Sequence, residues 1–192
     1  MEKFTKTIKK QYNEIQDKDI IYQNDNIIVK TSNDITYIDE LDKIFVLPYA
    51  KDEGYIFIKA EHNPAWDYKN KNQTLEKNNK YLTLLSTQIN IGEDPQTALR
   101  RSLYSNAGIA ISQFYDFEIS EPFFATNNNT SQYYICFMEL NMNDYKIVSS
   151  PTKTTKDEAQ TVRISIAELD NIRINDITTK LLIDILKNSY NL

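Results

Sequence analysis

The chain has 192 residues, 41% hydrophobic and 26% charged, with a formal net charge of −5. This composition suits one self-folding domain and excludes a disordered chain, while the acidic balance argues against broad nucleic-acid binding, which rests on Lys and Arg neutralising phosphates. No apolar run reaches the roughly 20 residues of a membrane span, and no signal-peptide core follows Met1.

Cys136 is the one cysteine, so no internal disulfide forms and a cytoplasmic setting is expected. Asn, Ile, Lys and Tyr are abundant and Gly is scarce, a codon bias that fits a low-GC bacterium or its phages. A phage origin would make virion association the expected location.

Residues 2–17 carry Phe4, Ile8, Tyr12 and Ile15 on one helical face. An isolated helix of this length is marginal in water, so residues 1–19 are expected to be an appendage docked on the main domain or a partner. Lys3, Lys6, Lys9 and Lys10 sit beside Glu2 and Glu14 and read as a solvated face. The main domain is expected over residues 20–192.

Residues 20–30 and 35–38 read as strands, separated by Thr31-Ser32-Asn33-Asp34. Residues 43–49 form an apolar run, Lys51-Asp52-Glu53-Gly54 a tight turn, and residues 55–60 another strand. An Asn- and Lys-rich loop over 67–80 leads to further extended stretches, 81–85 and 88–91. Asp94 then caps a helix with Pro95 at its first position, and Gly108 supplies the left-handed stop. Strand-like stretches follow at 109–118, 132–140, 143–150 and 160–166, with a polar loop over 126–131. A short helical turn begins at Ile166, and residues 176–188 form an amphipathic helix expected to point Ile177, Leu181, Leu182 and Ile185 inward. Strands on both sides of a central helix give an α/β (α+β) class and an α/β/α sandwich with a mixed sheet.

Residues 87–109 resemble the Nudix box, G-x5-E-x7-R-E-U-x-E-E-x-G-U, where U is apolar. Glu93, Arg101, Gly108 and Ile109 fall on the expected Glu, Arg, Gly and apolar positions, while Thr87 replaces the opening Gly and Gly92 stands just before Glu93. The three metal-binding Glu positions hold Ser102, Ser105 and Asn106. The element order and the Phe45-Val46-Leu47-Pro48 run are similar to the ADP-ribose pyrophosphatase branch. That resemblance implies a structural ion pair between Glu93 and Arg101. It also implies that residues 102, 105 and 106, which share one helical face, once presented three carboxylates to Mg²⁺. Two hydroxyls and an amide carry no charge, so no metal is expected at these positions.

The expectation is a catalytically inactive Nudix-fold protein acting as a structural or protein-interaction component. The alternatives are a nucleotide-binding sensor for ADP-ribose and a residual hydrolase holding Mg²⁺ with Glu93, Glu158 or other acids. Glu158, beside Asp157, is the weak candidate for a catalytic base; no catalytic residue is otherwise expected. Asp116, Glu118 and Glu121 read as surface acids, and the lone His62, near Trp66, as a packed loop residue. Cys136, between Ile135 and Phe137, reads as buried and inert. Thirteen tyrosines tilt the surface towards protein contacts, and the resemblance to the ADP-ribose pyrophosphatase branch, whose members are often dimers, adds a homo-oligomer to the expected partners.

Overall fold

In one strand of this protein every side chain from Val46 to Ala50 is buried, so both faces of its sheet are covered. The structure is a computed structural model that describes residues 20–23, 27–32, 35–61, 80–105, 107–111, 118–124, 126, 129–141, 145–147 and 160–190. Its strands begin with β1 (Ile20–Gln23), β2 (Ile27–Ser32), β3 (Ile35–Glu40), β4 (Lys43–Ala50), β5 (Tyr55–Glu61), β6 (Tyr81–Thr83) and β7 (Leu85–Gln88). Helix α1 (Pro95–Ser105) is followed by β8 (Ile109–Ile111), β9 (Phe123–Phe124), β10 (Gln132–Glu139), β11 (Tyr145–Ile147) and β12 (Gln160–Ser165). A 3₁₀ turn (Ile166–Asn171) and helix α2 (Ile177–Tyr190) come last.

Two units are distinguished, Met1–Asp42 with Pro122–Tyr133, and Lys43–Glu121 with Tyr134–Leu192. In the larger unit the sheet runs β12-β5-β4-β10. Leu140 N–H donates to the Tyr49 carbonyl at 2.8 Å, so β4 and β10 end side by side and the sheet is mixed. Strands β4 and β5 pair only at Tyr49–Ile56 and Ala50–Tyr55 beside the Gly54 turn, then fork. Into the fork runs the segment 81–88, with β6 on β5 and β7 on β4. One face of the sheet packs Leu85, Phe57, Cys136 and Met138 against Ala98, Leu99 and Leu103 of α1. The opposite face packs Leu47, Ile56, Ile58 and Ile164 against Leu182, Ile183 and Leu186 of α2. The α/β/α sandwich therefore follows from strands that are apolar on both sides.

Leu84 lies where the ladder passes from β5 to β4, and its buried N–H finds a partner elsewhere. Thr179 Oγ1 on α2 accepts it at 2.9 Å. The same hydroxyl donates to Asp176, whose carboxylate also accepts the Thr179 N–H at 2.7 Å and caps the helix. This contact sets the rotation of α2. Leu182, Ile183, Leu186 and Thr179 turn inward, whereas Ile177, Leu181 and Ile185 are 82%, 56% and 39% exposed. Of the four residues expected to point inward, only Leu182 is buried, because α2 carries apolar residues on two sides. Replacing Thr179 by Val strands the Leu84 N–H and should cost about 1–3 kcal/mol in urea unfolding, with Ser restoring most of it. An unchanged midpoint for the Val variant would show that the bond carries no weight.

Several other boundaries need correction. Residues 20–30 are not one strand: β1 and β2 pair antiparallel on either side of Asn24-Asp25-Asn26. The stretch 81–85 breaks at Leu84, and Ile91, expected in a strand, sits in the turn before α1 and is 95% exposed. Of 109–118 only β8 is strand among the described residues; it pairs with β11. The helix expected over 2–17 and the loop over 67–79 lie outside the described residues.

The smaller unit holds the antiparallel sheet β1-β2-β3. Within the polar loop expected over 126–131, Asn129 and Thr130 are tied to β3. Thr130 N–H donates to the Ile38 carbonyl at 2.9 Å, Asn129 Nδ2 to Glu40 at 2.7 Å, and Thr130 Oγ1 to Asp39 at 2.7 Å. Strand β9, absent from the sequence reading, pairs with Gln132 and Tyr133.

Candidate active site on helix α1

The helix start is built from local chemistry. Gly92 adopts φ +82°, a left-handed conformation that lets the chain turn sharply before α1. Asp94 accepts the Thr97 N–H at 3.0 Å and the Thr97 hydroxyl at 2.6 Å. These bonds hold the Asp94 carboxyl below its ordinary pKa, the hydroxyl contributing most. Gly108, at φ +64°, follows the helix end as the sequence indicated.

Glu93 and Arg101 form the brace between the turn and the helix. Arg101 Nε donates to Glu93 Oε1 at 3.0 Å and Nη2 to Oε2 at 2.8 Å. Arg101 also reaches the Gln88 carbonyl at 2.8 Å and Thr87 Oγ1 at 3.3 Å, while Asn90 N–H donates to Glu93 at 2.9 Å. One guanidinium thus ties β7, the turn and α1 together. Hydrogen bonding from Arg101 lowers the Glu93 pKa, and the same bond raises that of Arg101.

This pair has a definite pH signature. Glu93 holds its proton less tightly folded than unfolded, so the pair's contribution is complete above the ordinary glutamate range, about pH 4.3. It is lost as pH falls through the lowered folded value. Arg101→Ala should cost about 1–2 kcal/mol, the exposure of the guanidinium keeping the figure small. Glu93→Gln should flatten the acid limb of the stability curve. Equal acid slopes for the two proteins would refute this assignment.

The next helix position behaves differently. Ser102 is 2% exposed, on the inward side of α1 with Ala98, Leu99 and Leu103. The helix ends at Ser105; the Ser105 side chain and Asn106 lie outside the described residues, as do Glu158, Asp157, Asp116, His62 and Trp66. Among the described residues no group of three or more His, Cys, Asp and Glu is placed to hold a metal ion. A buried hydroxyl at 102 does not fit the hard, charged oxygen donor that Mg²⁺ requires. Cys136 is fully buried, and burial, with a lesser effect of the Glu118 charge, pushes its thiol up to about 12. Glu118 and Glu121 are exposed. No helix among the described residues is long and apolar enough to cross a membrane.

The chain matches no family model and no curated protein. Among solved structures it is similar to an ADP compounds hydrolase, a Nudix hydrolase, with a TM-score of 0.61 over 90% of both chains at 13% identity. The chain has the Nudix fold. A MutT structure, from a study of Aliivibrio salmonicida and Vibrio cholerae, aligns over 75% of this chain and 97% of that one, with a TM-score of 0.47 and 16% identity. Within the Nudix fold, then, Glu93 and Arg101 form an intact brace, and the next residue is a buried serine.

Proposed function

We propose that this Nudix-fold chain is catalytically silent and works by contact, as a structural or regulatory component that binds other proteins. The observation that carries the reading is Ser102, uncharged and 2% exposed at the first of three box positions where the resembled enzymes place metal-binding carboxylates. Ser105 and Asn106, at the other two, are uncharged as well. Retention of the Glu93–Arg101 brace supports a scaffold kept for its shape. The AT-rich codon bias is compatible with a phage-encoded component of a large assembly.

Manganese, a spectroscopic substitute for Mg²⁺, tests the proposal. Titration followed by electron paramagnetic resonance should give no stoichiometric site tighter than about 1 mM, given the absence of charged ligands. A one-to-one site of micromolar affinity that disappears on Glu93→Gln or Glu158→Gln would favour the hydrolase instead. Binding of ADP-ribose without metal would recast the protein as a nucleotide sensor.

A further inference from the structure

Helix α2 leaves an apolar stripe in solvent. Ile177, Leu181 and Ile185 recur every four residues and are 82%, 56% and 39% exposed, while the opposite side of the helix is fully used by the core. The 3.6-residue period places Lys180 and Asp184 together on one flank of the stripe. No ion pair joins them among the described residues. Their order also opposes the helix dipole, which favours the acid before the base at this spacing.

We propose that α2 pairs antiparallel with α2 of a second copy of this chain. The pattern is self-complementary. With a two-fold axis level with Leu182, Lys180 of each copy meets Asp184 of the other, giving two reciprocal ion pairs. The same alignment sets the second copy's Ile185 between Ile177 and Leu181, and its Leu181 between Leu181 and Ile185. Apolar side chains therefore interdigitate where the charges match, as in antiparallel helix pairs. An unrelated partner would have no reason to need both signs spaced for self-pairing.

A 14-residue helix is only about 21 Å long, so this interface falls at the small end of specific contacts. The dimer should dissociate at roughly 10–100 µM and weaken with salt. Sedimentation velocity on the full chain from about 1 to 300 µM tests it. The wild type should pass from monomer to dimer, and Leu181→Glu should stay monomeric throughout. Lys180→Asp should weaken association at least tenfold by setting Asp against Asp, and Lys180→Asp/Asp184→Lys should restore it. All three positions tested, Lys180, Leu181 and Asp184, are exposed, and thermal melts establish that each variant is folded; should Leu181→Glu fail to fold, the charge swap decides. A monomer at every concentration, a dimer indifferent to Leu181→Glu, or a double variant as weak as the single one would overturn the proposal. The outcome is independent of whether the protein turns over a substrate.

Discussion

Replacing Ser102 by Glu is expected to destabilise the protein by about 3 kcal/mol at neutral pH and by much less near pH 4. The position is 2% exposed, on the face of α1 that carries the fully buried Ala98 and Leu99. A glutamate there brings three more heavy atoms and a charge into space shaped for a hydroxyl. The buried carboxyl prefers its neutral form, so its folded pKa lies above the unfolded one. The electrostatic penalty is therefore small in acid and grows as pH rises through about 4.3, leaving only the steric cost below that. Urea unfolding of Ser102→Glu and Ser102→Gln at the two pH values separates the contributions: Gln has the size without the charge. If the Glu variant were as stable as wild type at pH 7, the helix face would be open and the proposed loss of function would lose its main support.

How much of this was readable beforehand depended on the range of the interactions involved. The α1 start was legible because Asp94, Thr97, Glu93, Arg101 and Thr87 make their decisive bonds within fifteen residues of one another, and the stop because Gly108 takes the left-handed conformation locally. Burial of Ser102 was also within reach, since it lies three and four residues from Leu99 and Ala98 on the same side of the helix. The rotation of α2 was not. It turns on Thr179 meeting Leu84, residues 95 apart in sequence, and a helix with apolar residues on two sides offers no local clue to which side goes in. Strand β9 and the ordering of residues 129–130 escaped for a related reason. Residues 129–130 are held by bonds to β3, about ninety positions away, in a stretch whose polarity alone reads as loop, and the two-residue β9 is too short to show a period before it pairs with Gln132 and Tyr133. The split of residues 20–30 into a hairpin was signalled weakly by Asn24-Asp25-Asn26, turn-forming residues inside an otherwise apolar run.

The larger expectation concerns chemistry. In metal-assisted diphosphate cleavage the cation stabilises developing charge by several kcal/mol and readies the attacking water. With about 1.36 kcal/mol per factor of ten, losing that assistance costs on the order of 10⁴ in rate or more. Nothing in the Glu93–Arg101 brace replaces it, because the Glu93 carboxylate is already engaged by Arg101 and the Asn90 N–H. Turnover is therefore the decisive quantity. The protein should be incubated with ADP-ribose and Mg²⁺ or Mn²⁺, and the appearance of AMP followed. Release is expected to be at least about 10⁴-fold slower than from an active Nudix hydrolase run alongside, and unchanged by Glu93→Gln. Steady formation of AMP at a rate comparable to that enzyme, abolished by the same substitution, would contradict this expectation.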